Sequence, residues 1–287
     1  MNILWLGQPA CDHLPTVGGK VANLSRLASE HRVPPGFCLT TEAFKQWAFS
    51  SNGLPPAFYN ELASAYGELT EHCGEDQPSV AVRSSAIDED GRYASFAGQY
   101  ETYLNIVGVE AIAEAITSCW ASMRSERVME YRSRYGLSLD EIQIAVFVQY
   151  LVPADVSAVV FSANPVDSNR EEVVINASWG LGESIVGGTV TPDTYIVRKT
   201  DLTVTDRRIA EKLQMTVSVP GGTNEVGVPR FMSSEPTLND EQAVEMADLA
   251  FGLERKLGWP VDIECAIYNE QLYLLQCRPI TTLIQPE

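Results

Sequence analysis

Apolar residues recur with helical spacing at Val21, Leu24, Leu27 and Ala28, so a helix is expected over residues 17–31, stopped by Pro34-Pro35-Gly36. Phe37-Cys38-Leu39 reads as a short strand, and Thr40 or Thr41 can cap a helix over Glu42–Phe49. Another helix is expected over Pro56–Tyr66, then a polar connection over 71–78. The texture changes at Val80-Ala81-Val82-Arg83, a strand that runs into a long loop, Ser84–Gln99, rich in Ser, Asp and Gly. A strand over Thr102–Ile106 and an amphipathic helix over Val109–Ser133 follow. Strands are then expected at Ile142–Leu151, Ala158–Ser162 and Val173–Ala177, and a glycine-flanked short helix at Gly180–Gly188. Tyr195–Arg198 and Leu202–Thr205 suggest a hairpin, and residues 219–236 a connection rich in Gly and Pro. A helix over Leu238–Leu257, opened by Asn239 or Asp240, precedes strands Asp262–Tyr268 and Gln271–Gln276, joined through Asn269-Glu270. Helices mixed with antiparallel hairpins make the expected class α+β.

Composition narrows the partners. The 287 residues carry a formal charge of −18. That excludes nonspecific nucleic-acid binding, which needs cations on phosphates, and an anionic membrane surface. A polyanion such as ATP can bind only where the few Lys and Arg converge. Six cysteines without a CxxC pair, beside only three histidines, leave little for a zinc site. They read as free thiols of a reducing compartment. The start, Met-Asn-Ile-Leu-Trp-Leu-Gly, lacks a basic segment and a long apolar run, so a cytoplasmic protein is expected.

The candidate chemistry lies in separate stretches. In Val17-Gly18-Gly19-Lys20, paired glycines before a helix allow close backbone approach to a phosphate, and Lys20 adds a point charge. Such glycines also serve simple turns. Val82-Arg83-Ser84-Ser85 ends a strand and opens the loop through Ala94-Ser95-Phe96-Ala97-Gly98-Gln99, which suits a flap over a triphosphate or equally a solvated loop. Asp262 and Glu264 share a strand face, and a hairpin lets Glu264 meet Gln276. A carboxylate and an amide oxygen suit Mg2+, and Arg278, two residues on, suits phosphate. The bland alternative is a half-exposed hairpin with a polar face. The strand Phe147–Val152 can present backbone groups to an adenine edge or be plain core. Glu183, after Ser178-Trp179-Gly180-Leu181-Gly182, can bond a ribose hydroxyl, bind metal, or simply complement a helix dipole.

Together the segments VGGKVANLSRL, VPPGFCLTTEAF, VAVRSSAIDEDGRYASFAGQYETYLNI, VFVQYLVPADVSAVVFSANP, ASWGLGESIVGG, DIECAI and LLQCRPIT, over residues 16–283, resemble one family. It is the nucleotide-binding domain of phosphoenolpyruvate synthases, pyruvate phosphate dikinases and rifampicin phosphotransferases. The resemblance implies a single ATP-grasp-like domain over 1–287, in lobes of roughly 1–75 and 76–287 with ATP between them. It implies that Lys20 and Arg83 hold phosphates, and that Gly98, Thr102 and Tyr103 belong to the flap and the strand after it. Gln149 and Leu151 would lie by the adenine and Glu183 at the nucleotide. Glu264 and Gln276 would bind Mg2+, and Arg278 would stabilise the transferring phosphoryl group. Lys20, Arg83 and Arg278 are thus the expected catalytic set.

Val21 and Ser25 stand where the family often has glycine, Ala158 replaces a frequent glycine, and Cys265 and Cys277 replace a frequent Trp and Ser. None removes a charged ligand. Relatives continue into a phosphohistidine swivel domain and a substrate domain for phosphoenolpyruvate or pyruvate. Here the histidines are His13, His31 and His72, none in an acceptor motif. The expected function is an ATP- and Mg2+-dependent phosphotransferase module yielding AMP, which phosphorylates a partner histidine domain or a substrate. Either the acceptor comes on another polypeptide, or the chain is an excised domain, or another acceptor is used. A stand-alone small-molecule kinase or ligase and a non-catalytic nucleotide-binding module are the alternatives.

Overall fold

A computed structural model describes residues 2–48, 54–87, 101–123, 125–126, 128–130 and 143–283. They cluster into two units, Met1–Leu151 and Val152–Glu287. The division expected near residue 75 falls instead after Leu151, because the strand at 80–86 is hydrogen-bonded into the middle of the first unit's sheet.

The first unit's sheet holds β1 (Ile3–Trp5), β2 (Gly36–Leu39), β3 (Val80–Ala86), β4 (Thr102–Ile106) and β5 (Ile144–Tyr150), in the order β1-β2-β5-β3-β4. Its helices are α1 (Leu14–Ser25), α2 (Thr41–Trp47), α3 (Pro56–Cys73) and α4 (Val109–Ser122). Phe44, Trp47, Phe58, Leu62, Leu69, Ile112, Ile116 and Trp120 from α2, α3 and α4 form one core with Val80, Val82, Val146 and Val148. Period-two alternation turns Ala81, Arg83, Ser85, Phe147 and Gln149 to the other face, where α1 packs on β3 and β5. Thr40 caps α2 by accepting from the Ala43 amide. The third helix runs to Cys73 rather than ending at Tyr66, because the buried stripe of Phe58, Leu62, Ala65 and Tyr66 continues to Leu69. It stops at Gly74 in the left-handed conformation. Beyond Ser122, the helix expected to reach Ser133 lies partly outside the described residues.

The second unit is built on an antiparallel sheet ordered β13-β12-β6-β7-β8-β9. Its strands are β6 (Val156–Phe161), β7 (Glu172–Trp179), β8 (Asp193–Arg198), β9 (Thr203–Arg208), β12 (Val261–Tyr268) and β13 (Gln271–Pro279). A short helix α5 (Glu183–Val186) follows β7. The expected connection at 219–236 starts inside a further hairpin, β10 (Gln214–Val219) and β11 (Gly222–Gly227). The last helix, α6 (Asp240–Leu257), opens with a capping box between Asn239 and Gln242 and packs on β6, β7, β8, β9 and β12.

Register sorts the two faces of this sheet. Cys277, Ile263, Val160, Ile175 and Tyr195 are cross-strand neighbours in one row, all buried on the α6 side. The rows on either side of it point the opposite way. One runs Arg278, Asp262, Phe161, Val174, Ile196, the other Gln276, Glu264, Val159, Asn176, Thr194.

A β-bulge makes this possible. Glu264 pairs with Gln276 but Cys265 pairs with Leu274, so Leu275 is an extra residue in β13. Without it, Leu272, Leu274, Gln276 and Arg278 would share one face. With it, Leu272 and Leu274 join Cys277 in the α6 layer while Gln276 and Arg278 turn away. Deleting Leu275 forces either the polar pair into the core or the leucines out of it. The expected result is loss of the cooperative melting of the second unit in calorimetry; an unaltered transition would mean the bulge is incidental.

Candidate functional site

In the first unit, α1 breaks helical geometry at Gly18, with φ 76° and ψ 169°. A Cβ there would overlap the Ser85 carbonyl, so Gly18 is required for packing of α1 on β3, a role the sequence reading did not foresee. This close approach brings Lys20 to the strand. Lys20 is 7% exposed, and its Nζ donates to the Ser84 carbonyl at 3.0 Å. Arg83 precedes Ser84 on the α1 face, and its Nε is buried with no hydrogen-bond partner among the described residues. A buried guanidinium nitrogen is costly to leave unsatisfied, so this atom fits an anionic ligand. Thr102 lies opposite Arg83 in the ladder and is exposed.

Gln149, one strand over, is 1% exposed and lies opposite Ala81, two residues from Arg83. Its side-chain amide donates to the Pro34 carbonyl at 3.3 Å. Half-buried Leu151 follows, its amide donating to the Ser79 carbonyl. Lys20, Arg83, Thr102 and Gln149 are therefore brought to one side of the sheet. Tyr103 is not: it pairs with Val82 and packs on the core beneath α4. Burial there pushes its phenol pKa up. Gly98 lies outside the described residues.

In the second unit, Glu264 lies directly opposite Gln276, and Asp262 opposite Arg278, in adjacent positions of one face. The Arg278 Nε donates to Asp262 Oδ2 at 2.8 Å, which sets the plane of the guanidinium. Asp262 is 7% exposed, and its Oδ1 is buried without a hydrogen-bond partner among the described residues. Burial pushes the Asp262 carboxyl pKa up, Arg278 pulls it down, and Glu264 adds a smaller upward push. The spacing placed Asp262 on this face but assigned it no task; the structure makes it the anchor of Arg278.

Among the described residues, no group of three or more His, Cys, Asp or Glu is placed to hold a metal by itself. The Glu264 carboxylate and Gln276 amide oxygen fit Mg2+, which takes hard oxygen donors and keeps positions for phosphate and water. Glu183 opens α5, its Oε2 accepting from the Thr223 hydroxyl at 3.0 Å. No helix among the described residues is long and apolar enough to cross a membrane.

Residues 46–287 match the family model described as pyruvate phosphate dikinase, AMP/ATP-binding domain. A probable phosphoenolpyruvate synthase of Methanocaldococcus jannaschii is 36% identical over 98% of this chain and 27% of its own length. One from Pyrococcus horikoshii is 35% identical over 98% of this chain and 44% of its own. The rifampicin phosphotransferase of Streptomyces sviceus is 37% identical over 93% of this chain and 34% of its own. The chain thus spans less than half the length of these relatives. A solved D-alanyl-alanine synthetase A from Vibrio cholerae is similar at a TM-score of 0.35 and 14% identity, covering 92% of this chain and 59% of that one, too loose a likeness to argue from.

Proposed function

Since this chain belongs to the family of AMP/ATP-binding domains of pyruvate phosphate dikinase, we propose that it binds ATP with Mg2+ and drives phosphoryl transfer. The acceptor is a histidine domain or a small molecule. One observation carries the reading: the pairs Glu264–Gln276 and Asp262–Arg278 stand side by side on one face of a sheet whose other face is core.

Phosphoryl transfer needs placement and charge neutralisation more than covalent help from the protein. Arg278, its guanidinium plane held by Asp262, presents donors to the phosphoryl oxygens as charge builds on them. Lys20 and the unsatisfied Nε of Arg83 take other phosphate oxygens. Gln149 and Leu151 serve the adenine, Thr102 the approach to it, and Glu183 accepts from a ribose hydroxyl. Glu264 and Gln276 hold Mg2+, which when bound offsets phosphate charge. The cysteines lie far apart in sequence with no CxxC pair, a usage that suits the reducing cytoplasm, where we place this activity.

Incubating the chain with ATP, Mg2+ and candidate acceptors, then identifying the nucleotide product, tests this. AMP is the expected product in the presence of a supplied histidine domain. ADP without AMP would replace the reading with a direct kinase or ligase. ATP binding without turnover under any acceptor would leave a binding module.

A further inference from the structure

The hairpin β10–β11 is built to hold one side chain in place. Its root is fixed by Lys212, whose Nζ donates to the buried Asp193 carboxylate at 2.6 Å and whose backbone amide donates to the Ser233 carbonyl. Its middle is fixed where the Leu181 amide donates to the Thr216 carbonyl at 2.9 Å. The approach is so close that a Cβ on Gly180, whose φ is 76°, would overlap that carbonyl. The Gly180 carbonyl in turn accepts from the Ser157 hydroxyl of the sheet at 2.7 Å. Thr223, opposite Ser218 in this fastened ribbon, is delivered to Glu183, and its hydroxyl donates to Oε2.

A glutamate at the start of a short helix has three rotatable side-chain bonds and pays their entropy on binding. A hydroxyl supplied from a braced ribbon pays part of that in advance and commits one carboxylate oxygen. The other oxygen then points consistently and can accept from a ligand hydroxyl. We propose that Thr223 is a positioning residue, which orients Glu183 to accept from a sugar hydroxyl of the nucleotide and so sets preference for a ribonucleotide. The proposal rests on the reading of Glu183 as a ribose contact.

The test compares dissociation constants of ATP, 2′-deoxyATP and 3′-deoxyATP, measured by calorimetry with Mg2+ on the full chain and its variants. In the native chain, ATP binds more tightly than at least one deoxynucleotide. Thr223→Val, matched in shape, weakens ATP about tenfold, the scale of one hydrogen bond to a charged group. It leaves that deoxynucleotide unchanged, so the preference collapses, and Thr223→Ser restores it. If Thr223→Val weakens all three nucleotides equally, or none, Thr223 does not position Glu183. Glu183→Ala separates the failures: if it abolishes the preference while Thr223→Val does not, only the role of Thr223 falls. If Glu183→Ala leaves the preference intact, the ribose role of Glu183 falls and takes this proposal with it.

Discussion

Arg278→Ala lowers turnover of ATP by about 100-fold or more, the scale seen when one donor to developing charge is removed. Steady-state assay of AMP or ADP release measures it, and unchanged turnover refutes the role of Arg278. The substitution has a second effect that must be separated. Arg278 donates to one oxygen of the Asp262 carboxylate, which is buried and has its other oxygen unsatisfied among the described residues. Losing the guanidinium leaves an uncompensated buried carboxyl, whose pKa rises further because the downward pull of Arg278 is gone. A raised native pKa means the folded state holds the proton longer than the unfolded one. Stability is then retained below the unfolded value and lost as pH climbs through the folded value. The Arg278→Ala variant should therefore lose more melting temperature at neutral pH than at pH 4. Pairing it with Asp262→Asn restores melting without restoring turnover. Arg278→Lys recovers turnover only in part, because an ammonium lacks the planar fork.

Lys212→Met lowers the melting temperature of the second unit by about 10 °C, from a loss of about 3–5 kcal/mol for an ion buried without its partner. Lys212 and Asp193 side chains are both 0% exposed. Asp193 accepts from Lys212 Nζ, the Ala210 amide, and the Thr237 amide and hydroxyl, at 2.6 to 2.9 Å. This carboxylate ties the start of β8 to the segment before β10 and the turn before α6. The methionine fills the lysine's volume but strands the charge. Asp193→Asn in the same chain recovers part of the loss, since neutral amide and apolar side chain no longer leave a buried ion. Thermal unfolding by circular dichroism checks both variants, and a transition unmoved by Lys212→Met would show that the pair contributes nothing.

The juxtaposition of Glu264 with Gln276 was legible because these residues are close in sequence. Glu264 and Gln276 lie on consecutive strands of one hairpin, and the turn at Asn269-Glu270 brings them opposite. The doubled Leu274-Leu275 is the visible mark of the bulge, whereas simple alternation places Leu274 on the face of Gln276. The glycines before Lys20 illustrate the opposite problem. They were read toward a phosphate, whereas Gly18 is required by Ser85, a residue far along the chain. Tyr103 follows Thr102 directly, yet it lies on the core face because adjacent strand residues point opposite ways. The β10–β11 hairpin is faint in the sequence because Met215, Val217 and Val219 alternate over only a short run beside Pro220-Gly221-Gly222, and contacts through Asp193 and Thr216 give that run a place.

By itself, the sequence determined most of the helices and strands and the α+β class, and it singled out the candidate oxygen donors and cations. These depend on local spacing and on motifs read in register. Only the tertiary structure decided that Lys20 leans on Ser84, that Asp262 anchors Arg278, that Lys212 is an interior cation and that Thr223 reaches Glu183. Each of these is a contact across strands or between distant segments. Its partner is chosen by pairing register and burial cost, neither of which is encoded in a window of neighbouring residues.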